Sequence, residues 1–99
     1  MMFELHRTVA FDRWLRRLKD DRARAKIAAR VQRMAFGHFG DVSPVAEGVS
    51  ELRIHDGPGY RVYFVQHGDA ILILLCGGNK KSQARDIKAA KAFAKDLKA

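Results

Sequence analysis

The chain has 99 residues, 47% of them apolar, and a formal net charge of +8, which fits one globular domain over residues 1–99 and excludes a disordered tail. Its longest apolar run, Ala70 to Cys76, is too short to cross a membrane, and we expect no secretion signal because no long apolar stretch lies near the start. The single cysteine has no partner for an internal disulfide, so a reducing, cytoplasmic location fits best.

The positive charge is concentrated in two segments. Basic residues far outnumber acids in residues 13–33 and again in residues 80–98, whereas residues 37–79 carry more acids than bases. A basic domain of this size suggests a polyanionic partner, either nucleic acid or an acidic protein. The alternative is that the basic helices are simply solvated surfaces.

The first predicted elements are a short strand and two helices. Alternating apolar and polar residues predict a strand at Phe3–Arg7, and Thr8 is placed to cap a helix over Val9–Lys19. The acid pair at 20–21 ends this helix and begins a second one over Arg22–Phe36, so we expect an antiparallel helical hairpin. The apolar stripes of the two helices are Phe11, Trp14, Leu15 and Leu18 in the first, and Ala23, Ile27, Ala28 or Arg30, Val31 and Met34 in the second.

The second half is predicted to contain a loop, three strands and a helix. Turn-forming residues predict a loop over 38–48, and strands follow at Val49–His55, Gly59–Gln66 and Ala70–Cys76. The last strand is apolar throughout, so we expect it to be central and covered on both faces. A helix over Gln83–Leu97, capped by Ser82, completes the order β-α-α-β-β-β-α. This order predicts an α+β fold with helices packed on one face of a small, curved, mostly antiparallel sheet, whose other face serves function or a partner.

The strand pair within residues 51–64 places several polar side chains on one face. Both apolar sets of the pair must point into the core, which requires a connecting loop with an odd number of residues. One such register sets Arg53 opposite Arg61 and Glu51 opposite Tyr63. The next sets Arg53 opposite Tyr63 and His55 opposite Arg61. In either register these polar side chains cluster on the face that we expect to be open.

Two facing arginines need an explanation, because like charges directly across strands are destabilising. Either Glu51 neutralises them on a solvated face, or the two guanidinium groups bind an anion, for which the planar fork of arginine suits phosphate well. Lys80 and Lys81 follow the third strand and are expected near the same edge of the sheet. The sequence therefore indicates a phosphodiester site. The histidines have no metal-like spacing, and we predict no metal or other cofactor.

Three segments carry a resemblance to a known family. GDVSPVAEGVSELRI, GPGYRVYF and LLCGGNKKSQARDIKAA resemble the RelE/ParE superfamily of bacterial toxins, and more narrowly the HigB-like addiction module killer proteins. The resemblance covers nearly the whole chain and implies a RelE-like fold. It implies the toxin of a type II toxin–antitoxin pair, and RelE-type relatives are endoribonucleases that cleave messenger RNA in the ribosomal A site. It also implies a cognate antitoxin, which we expect to be a helix-turn-helix protein. The toxin is then expected to contact operator DNA only through this antitoxin.

The resemblance also assigns site residues. Arg61 matches the arginine of the family's G-Y-R motif, while Arg53 and Lys80 or Lys81 lie where relatives carry basic residues. These side chains are implied to bind the scissile phosphate and stabilise its charge. Many RelE-like enzymes use a tyrosine or histidine near the C-terminus for proton transfer, but this chain has neither after Asn79.

The identity of the proton-transfer group therefore stays open. Glu51 is a candidate acceptor, His55 is a candidate acid or base because histidine titrates near neutral pH, and Tyr63 is a candidate for stacking on a base or donating a hydrogen bond. Asp86 is the only acid near the start of the last helix. Because the tyrosine or histidine is missing, a second function stays open, that of a ParE-like toxin that inhibits DNA gyrase without nuclease activity. A plain nucleic-acid-binding domain ranks last, because no helix-turn-helix or RNA-recognition signature is present.

Overall fold

The computed structural model describes residues 2–97, which form one five-stranded sheet and three helices. The strands are β1 (Glu4–Arg7), β2 (Val42–Ala46), β3 (Val49–Ile54), β4 (Tyr60–His67) and β5 (Ile71–Asn79), and the helices are α1 (Val9–Arg17), α2 (Asp21–Met34) and α3 (Gln83–Leu97). The strand order is β1-β5-β4-β3-β2, with β1 parallel to β5 and the other pairs antiparallel. The predicted α+β class with a mostly antiparallel sheet is confirmed. Within residues 2–97 no helix is both long and apolar enough to cross a bilayer.

Side-chain caps fix the starts of the first two helices. The Thr8 hydroxyl accepts a hydrogen bond from the Phe11 backbone N–H at 3.0 Å and donates one to the Leu75 carbonyl at 2.6 Å. The Asp20 carboxylate accepts from the Ala23 N–H at 3.1 Å. Each cap satisfies an N–H that the first helical turn leaves without an internal partner, and the Thr8 cap also ties α1 to β5.

The main core lies between the sheet and the helices α1 and α2. The fully buried Ile27 and Met34 of α2 and Phe11 of α1 pack against strand residues on one face of the sheet. The strand residues in this cluster are Leu52, Ile54, Tyr60, Val62, Phe64, Leu72 and Leu74. Full burial of one such side chain contributes about 1.5–3 kcal/mol, so this layer dominates the stability of the domain. Of the two inner-face candidates, Ala28 is exposed and Arg30 turns inward, where it donates to the Arg53 carbonyl at 3.2 Å.

The expectation that every helix packs on one face was wrong, because α3 covers the opposite face. Ala90 and Ala94 of α3 are buried against a second cluster that includes Leu75 and Tyr63. Strand alternation turns Leu74 toward α1 and α2 and Leu75 toward α3, and a bulge in the β4–β5 pairing turns Cys76 to the α3 face as well. The apolar strand β5 is therefore buried on both faces, as predicted, and α3 is the element that supplies the second cover.

The predicted loop over 38–48 was wrong for residues 42–46, which form the edge strand β2. Its residues include Pro44 and Ser43, which are poor strand formers, and the pairing with β3 contains a bulge between Pro44 and Ala46. Proline is tolerated on edge strands because its missing N–H need not join a ladder. Strand β2 extends the sheet beyond β3 and brings Asp41, just before it, beside Arg53.

The adjacent glycines of β5 let helices approach the sheet from both sides. A Cβ added to Gly77 would overlap the Trp14 ring of α1, and one added to Gly78 would overlap the Asp86 carboxylate of α3. A side chain at either position would require the contacting Trp14 or Asp86 side chain to shift. The CGGN segment thus has a packing explanation.

Candidate functional site

The observed pairing of β3 with β4 is the first of the two predicted registers. Arg53 lies opposite Arg61 and Glu51 opposite Tyr63, and the connecting loop 55–59 has an odd number of residues, as required. These four side chains share one face of the sheet. The face is not open as expected, because α3 lies over part of it. His55 lies past the end of β3, in the connecting loop.

Glu51 sits between the two arginines and is 3% exposed. Its Oε1 lies 3.5 Å from an amino group of Arg53, its Oε2 lies 4.0 Å from Nε of Arg61, and Gln83 of α3 donates to Oε2 at 3.4 Å. A buried carboxylate is costly unless it is paired and hydrogen-bonded. Glu51 therefore offsets the repulsion between the two facing arginines.

Arg53 has a second acidic partner that sequence reasoning missed. One of its amino groups donates to Asp41 Oδ1 at 2.7 Å and to the Ser43 hydroxyl at 3.1 Å. The other oxygen of Asp41 lies 2.5 Å from Nε2 of His55. The hydrogen bond from Arg53, and to a smaller extent the one with His55, lowers the pKa of Asp41 to about 2. The hydrogen bond between Arg53 and Asp41 also raises the pKa of Arg53. Arg53 is thus held by carboxylates of the protein itself.

Arg61 is less fully paired and borders a depression. Its guanidinium donates to the Gly59 carbonyl at 2.8 Å, and the whole side chain is 13% exposed. Gly59 has φ +76°, and a Cβ there would lie 2.9 Å from Arg61 and 3.6 Å from Cβ of Lys80. Glycine at this position therefore lets the loop, the arginine and the lysine converge.

The depression has a volume of about 560 Å³ and is formed by the β3–β4 loop and the end of β5. Its lining residues are His55, Asp56, Gly57, Pro58, Gly59, Arg61 and Lys80. Three of the predicted site residues, Arg61, Lys80 and His55, are thus brought together. Lys81 is exposed and is not among the lining residues. Two cations against one carboxylate make the depression suitable for an anion.

Tyr63 lies under α3 and is fully buried, so its ring is not accessible for stacking in this structure. Its hydroxyl has no hydrogen-bond partner within residues 2–97, and the same is true of Nε in Arg53 and in Arg61. Burial, and then the charges of Glu51 and Asp86, raise the pKa of Tyr63 well above its ordinary value. The tyrosine is therefore a neutral, unpartnered group inside a charged cluster.

The start of α3 closes this cluster. Asn79 Oδ1 accepts from the backbone N–H groups of Lys81 and Ser82 at 2.9 and 3.1 Å, and the Ser82 hydroxyl bonds to Asp86. This turn places Asp86 above Gly78, the strand partner of Arg61. Burial raises the pKa of the nearby Cys76 thiol to about 12, which fits an inert structural cysteine. Among residues 2–97 no group of three or more His, Cys, Asp or Glu side chains is arranged to hold a metal ion.

Gln83 and Asp41 are the site residues that the sequence did not single out. Gln83 carries no signal of its own, because its role depends on which face α3 covers. Asp41 is visible only once β2 is recognised, since β2 sets it beside β3. Both contacts depend on tertiary packing and not on local pattern.

Comparisons with known proteins give a family match and a fold match. The model of the family described as "Phage derived protein Gp49-like (DUF891)" matches residues 13–98. A protein of Haemophilus influenzae, described as an uncharacterized protein, is 50% identical over 97 residues, which is 98% of each chain. A chain in the crystal structure of the toxin–antitoxin complex RelBE2 from Mycobacterium tuberculosis matches with a TM-score of 0.65 over 81% of this chain and 100% of that one. At 15% identity the RelBE2 likeness establishes the fold alone, which confirms the RelE-like architecture.

Proposed function

This chain belongs to the family of phage-derived Gp49-like proteins, and from that premise we propose that it is the toxin of a toxin–antitoxin pair and cleaves messenger RNA on the ribosome. The observation that carries the proposal is the basic depression lined by Arg61, Lys80 and His55, with Glu51 buried behind it. A solved structure that shares the fold is a toxin–antitoxin complex, which supports a cognate antitoxin as partner. The narrower HigB-like assignment, with a helix-turn-helix antitoxin, rests on the resemblance of the GPGYRVYF and CGGNKK segments.

The depression suits a phosphodiester. Its volume of about 560 Å³ lies within the usual range for small-ligand sites. Arg61 is positioned by the Gly59 carbonyl and by Glu51, while the Lys80 side chain is exposed at the rim. A planar guanidinium and a mobile ammonium on the same anion are a common arrangement for phosphate. Lys81 follows at the surface and extends the positive charge toward the next nucleotide of an RNA strand.

The reaction is attack of the neighbouring 2′-hydroxyl on phosphorus, which adds negative charge to the phosphate oxygens in the transition state. Arg61 and Lys80 stabilise that charge electrostatically. Arg53 does not bind the phosphate directly, because Asp41 and Glu51 already pair with its guanidinium. Its role is to hold Glu51, which in turn holds Arg61. Tyr63 lies opposite Glu51 across the strands and is fully buried under α3, so it supports the cluster without contacting the RNA.

The basic helices α1 and α2 give a second surface for polyanions. Arg13, Arg16 and Arg17 of α1 are exposed, as are Arg22 and Lys26 of α2. Contacts of this kind with phosphates of ribosomal RNA are independent of sequence and weaken with salt. We therefore expect ribosome association to weaken as ionic strength increases.

The test is to induce the protein in cells and map transcript ends. Arg61→Ala is expected to abolish the new ends, since removing one group that stabilises transition-state charge costs roughly 10²–10³-fold in rate. Arg61→Lys, which keeps the charge but loses the planar fork, is expected to retain part of the activity. Arg7→Ala removes the same charge from an exposed position on β1, outside both proposed surfaces, and serves as the control. Growth arrest with intact transcripts would contradict the nuclease.

A ParE-like inhibitor of DNA gyrase is the second candidate. It is favoured by the burial of Tyr63 and Glu51 under α3, together with the absence of histidine and tyrosine after Asn79. In that case Arg53 and Arg61 stabilise the sheet and do not contact substrate. A gyrase supercoiling assay separates the two candidates, because inhibition at micromolar protein with intact transcripts would favour the gyrase target.

A further inference from the structure

We propose that His55, positioned by Asp41, accepts the proton of the attacking 2′-hydroxyl. The inference rests on the proposed ribonuclease function and assigns the proton-transfer group that the sequence leaves open. It favours His55 over Glu51, the other candidate acceptor. It also gives Asp41 a role that no sequence motif indicates.

In the Asp41–His55 pair, one carboxylate is shared between an imidazole and a guanidinium. Oδ2 of Asp41 lies 2.5 Å from Nε2 of His55, while Oδ1 of the same carboxylate is bound by Arg53 at 2.7 Å. The backbone N–H of Arg53 also donates to the Asp41 carbonyl at 2.9 Å. The carboxylate is therefore fixed from the strand side and stays ionised at neutral pH. A carboxylate bound to one imidazole nitrogen fixes the tautomer, orients the ring and stabilises the imidazolium that forms when the other nitrogen takes a proton.

The His55 imidazole is accessible to a substrate. The His55 side chain is 73% exposed and lines the depression together with Arg61 and Lys80. Because Asp41 occupies Nε2, Nδ1 is the nitrogen left to meet a substrate. Glu51 has the opposite character. Its side chain is 4% exposed, both of its oxygens face protein donors and α3 lies over it. A general base must reach the proton that it removes, and only His55 of the two reaches the depression.

The step balances without any further reactant. Nδ1 of His55 takes the proton of the 2′-hydroxyl as its oxygen bonds to phosphorus. The bond from phosphorus to the 5′-oxygen breaks, and that oxygen takes a proton from water. The products are a 2′,3′-cyclic phosphate and a 5′-hydroxyl, and the imidazolium returns its proton to solvent. Arg61 and Lys80 carry the charge on the phosphate throughout.

The chain offers a matched control for this pair. His6 and Glu4 form a second exposed histidine–carboxylate contact, at 2.7 Å, on β1. Strand β1 is at one edge of the sheet, whereas β2, which follows Asp41, is at the other. The two pairs therefore have the same chemistry, and only the Asp41–His55 pair adjoins the depression.

The experiment measures cleavage of a reporter transcript in a ribosome-containing cell-free reaction. His55→Ala is expected to slow cleavage roughly 10²–10⁴-fold, the usual contribution of a general acid or base. Added imidazole is expected to restore part of the lost rate, because the truncated side chain leaves an accessible space at the depression. His6→Ala is expected to cleave at the unaltered rate. In the absence of imidazole, His55→Ala at more than a third of the unaltered rate would overturn the assignment.

A double-mutant cycle tests Asp41 as a positioning residue. Asp41→Asn is expected to cost about tenfold or more by itself, but almost nothing in the His55→Ala background, because there is then no imidazole to position. Equal losses in both backgrounds would show that Asp41 acts through Arg53, and would refute its action through His55. If the unaltered chain cleaves no transcript, the ribonuclease function fails and this inference fails with it. If the unaltered chain cleaves and His55→Ala cleaves equally well, only the inference fails.

Discussion

The buried hydroxyl of Tyr63 leads to a prediction in which removing a polar group stabilises the protein. The side chain is fully buried, and its oxygen has no hydrogen-bond partner within residues 2–97. It also faces the charges of Glu51 and Asp86, which together with burial raise the pKa of the phenol. Tyr63→Phe deletes this hydroxyl and keeps the ring that packs against β5 and α3.

The magnitude follows from the cost of an unmade hydrogen bond. Leaving a buried polar group without a partner costs about 1–3 kcal/mol relative to its hydrated state in the unfolded chain. The phenylalanine variant avoids this cost and loses only the dispersion contacts of one oxygen. We therefore expect the free energy of unfolding to increase by about 1 kcal/mol. For a domain of this size that corresponds to an increase in Tm of roughly 4–8 °C.

Urea unfolding followed by circular dichroism measures the change, and Tyr60→Phe is the matched control. Tyr60 lies on the opposite face of β4, next to Trp14, and its hydroxyl is not among the buried unpartnered atoms of the described residues. We expect its variant to stay within about 0.5 kcal/mol of the unaltered chain. A loss of more than 1 kcal/mol in Tyr63→Phe alone would refute the reasoning, since it would mean that the hydroxyl is bonded in solution.

Two further predictions concern contacts near the same cluster. Gly78→Ala is expected to lower the free energy of unfolding by at least about 1–3 kcal/mol, because its Cβ would overlap Asp86. Urea titration should find a smaller loss of stability when the same substitution is made in an Asp86→Ala background. Equal losses in the two backgrounds would contradict the close packing. The pKa of Asp41 is about 2 when folded against an ordinary 3.8, so its contribution to stability is full above about pH 4 and is lost as the pH falls through about 2. Asp41→Asn should therefore flatten the pH dependence of the urea midpoint between pH 4 and 2, whereas the control Asp69→Asn, in the exposed β4–β5 turn, should not. Identical slopes in the unaltered chain and both variants would contradict the pairing of Asp41 with Arg53 and His55.

The part of the fold that the sequence predicts well is the part governed by local pattern. Thr8 was identifiable as a cap because it precedes an apolar helical stripe, and the acid pair at 20–21 was identifiable as the boundary between the first two helices. The register of β3 and β4 could be narrowed to two solutions because a one-residue slip would bury Arg61 in the core. The structure adopts the solution in which Arg53 faces Arg61.

The part that the sequence does not predict depends on which surfaces meet. Strand β2 was missed because Pro44 and Ser43 resemble a turn, and only pairing with β3 makes the segment extended. The face of the sheet on which α3 packs was not predicted, although β5 is apolar on both faces and therefore needs a helix or another layer to cover each of them. That error made the arginine face look open, and it hid the contact between Gln83 and Glu51.

The two facing arginines differ in the carboxylates that neutralise them. Arg53 is held by Asp41 at 2.7 Å and by Glu51 at 3.5 Å, so its charge is balanced within the protein. Arg61 has only the shared Glu51, at 4.0 Å, among carboxylates within that distance in the described residues. The unbalanced positive charge therefore lies with Arg61, on the side of the sheet where Lys80 lines the same depression. This uneven distribution of carboxylates leaves Arg61 as the guanidinium that an external anion would neutralise. Arg53 instead supports the cluster, because it holds Glu51 directly and holds His55 through Asp41.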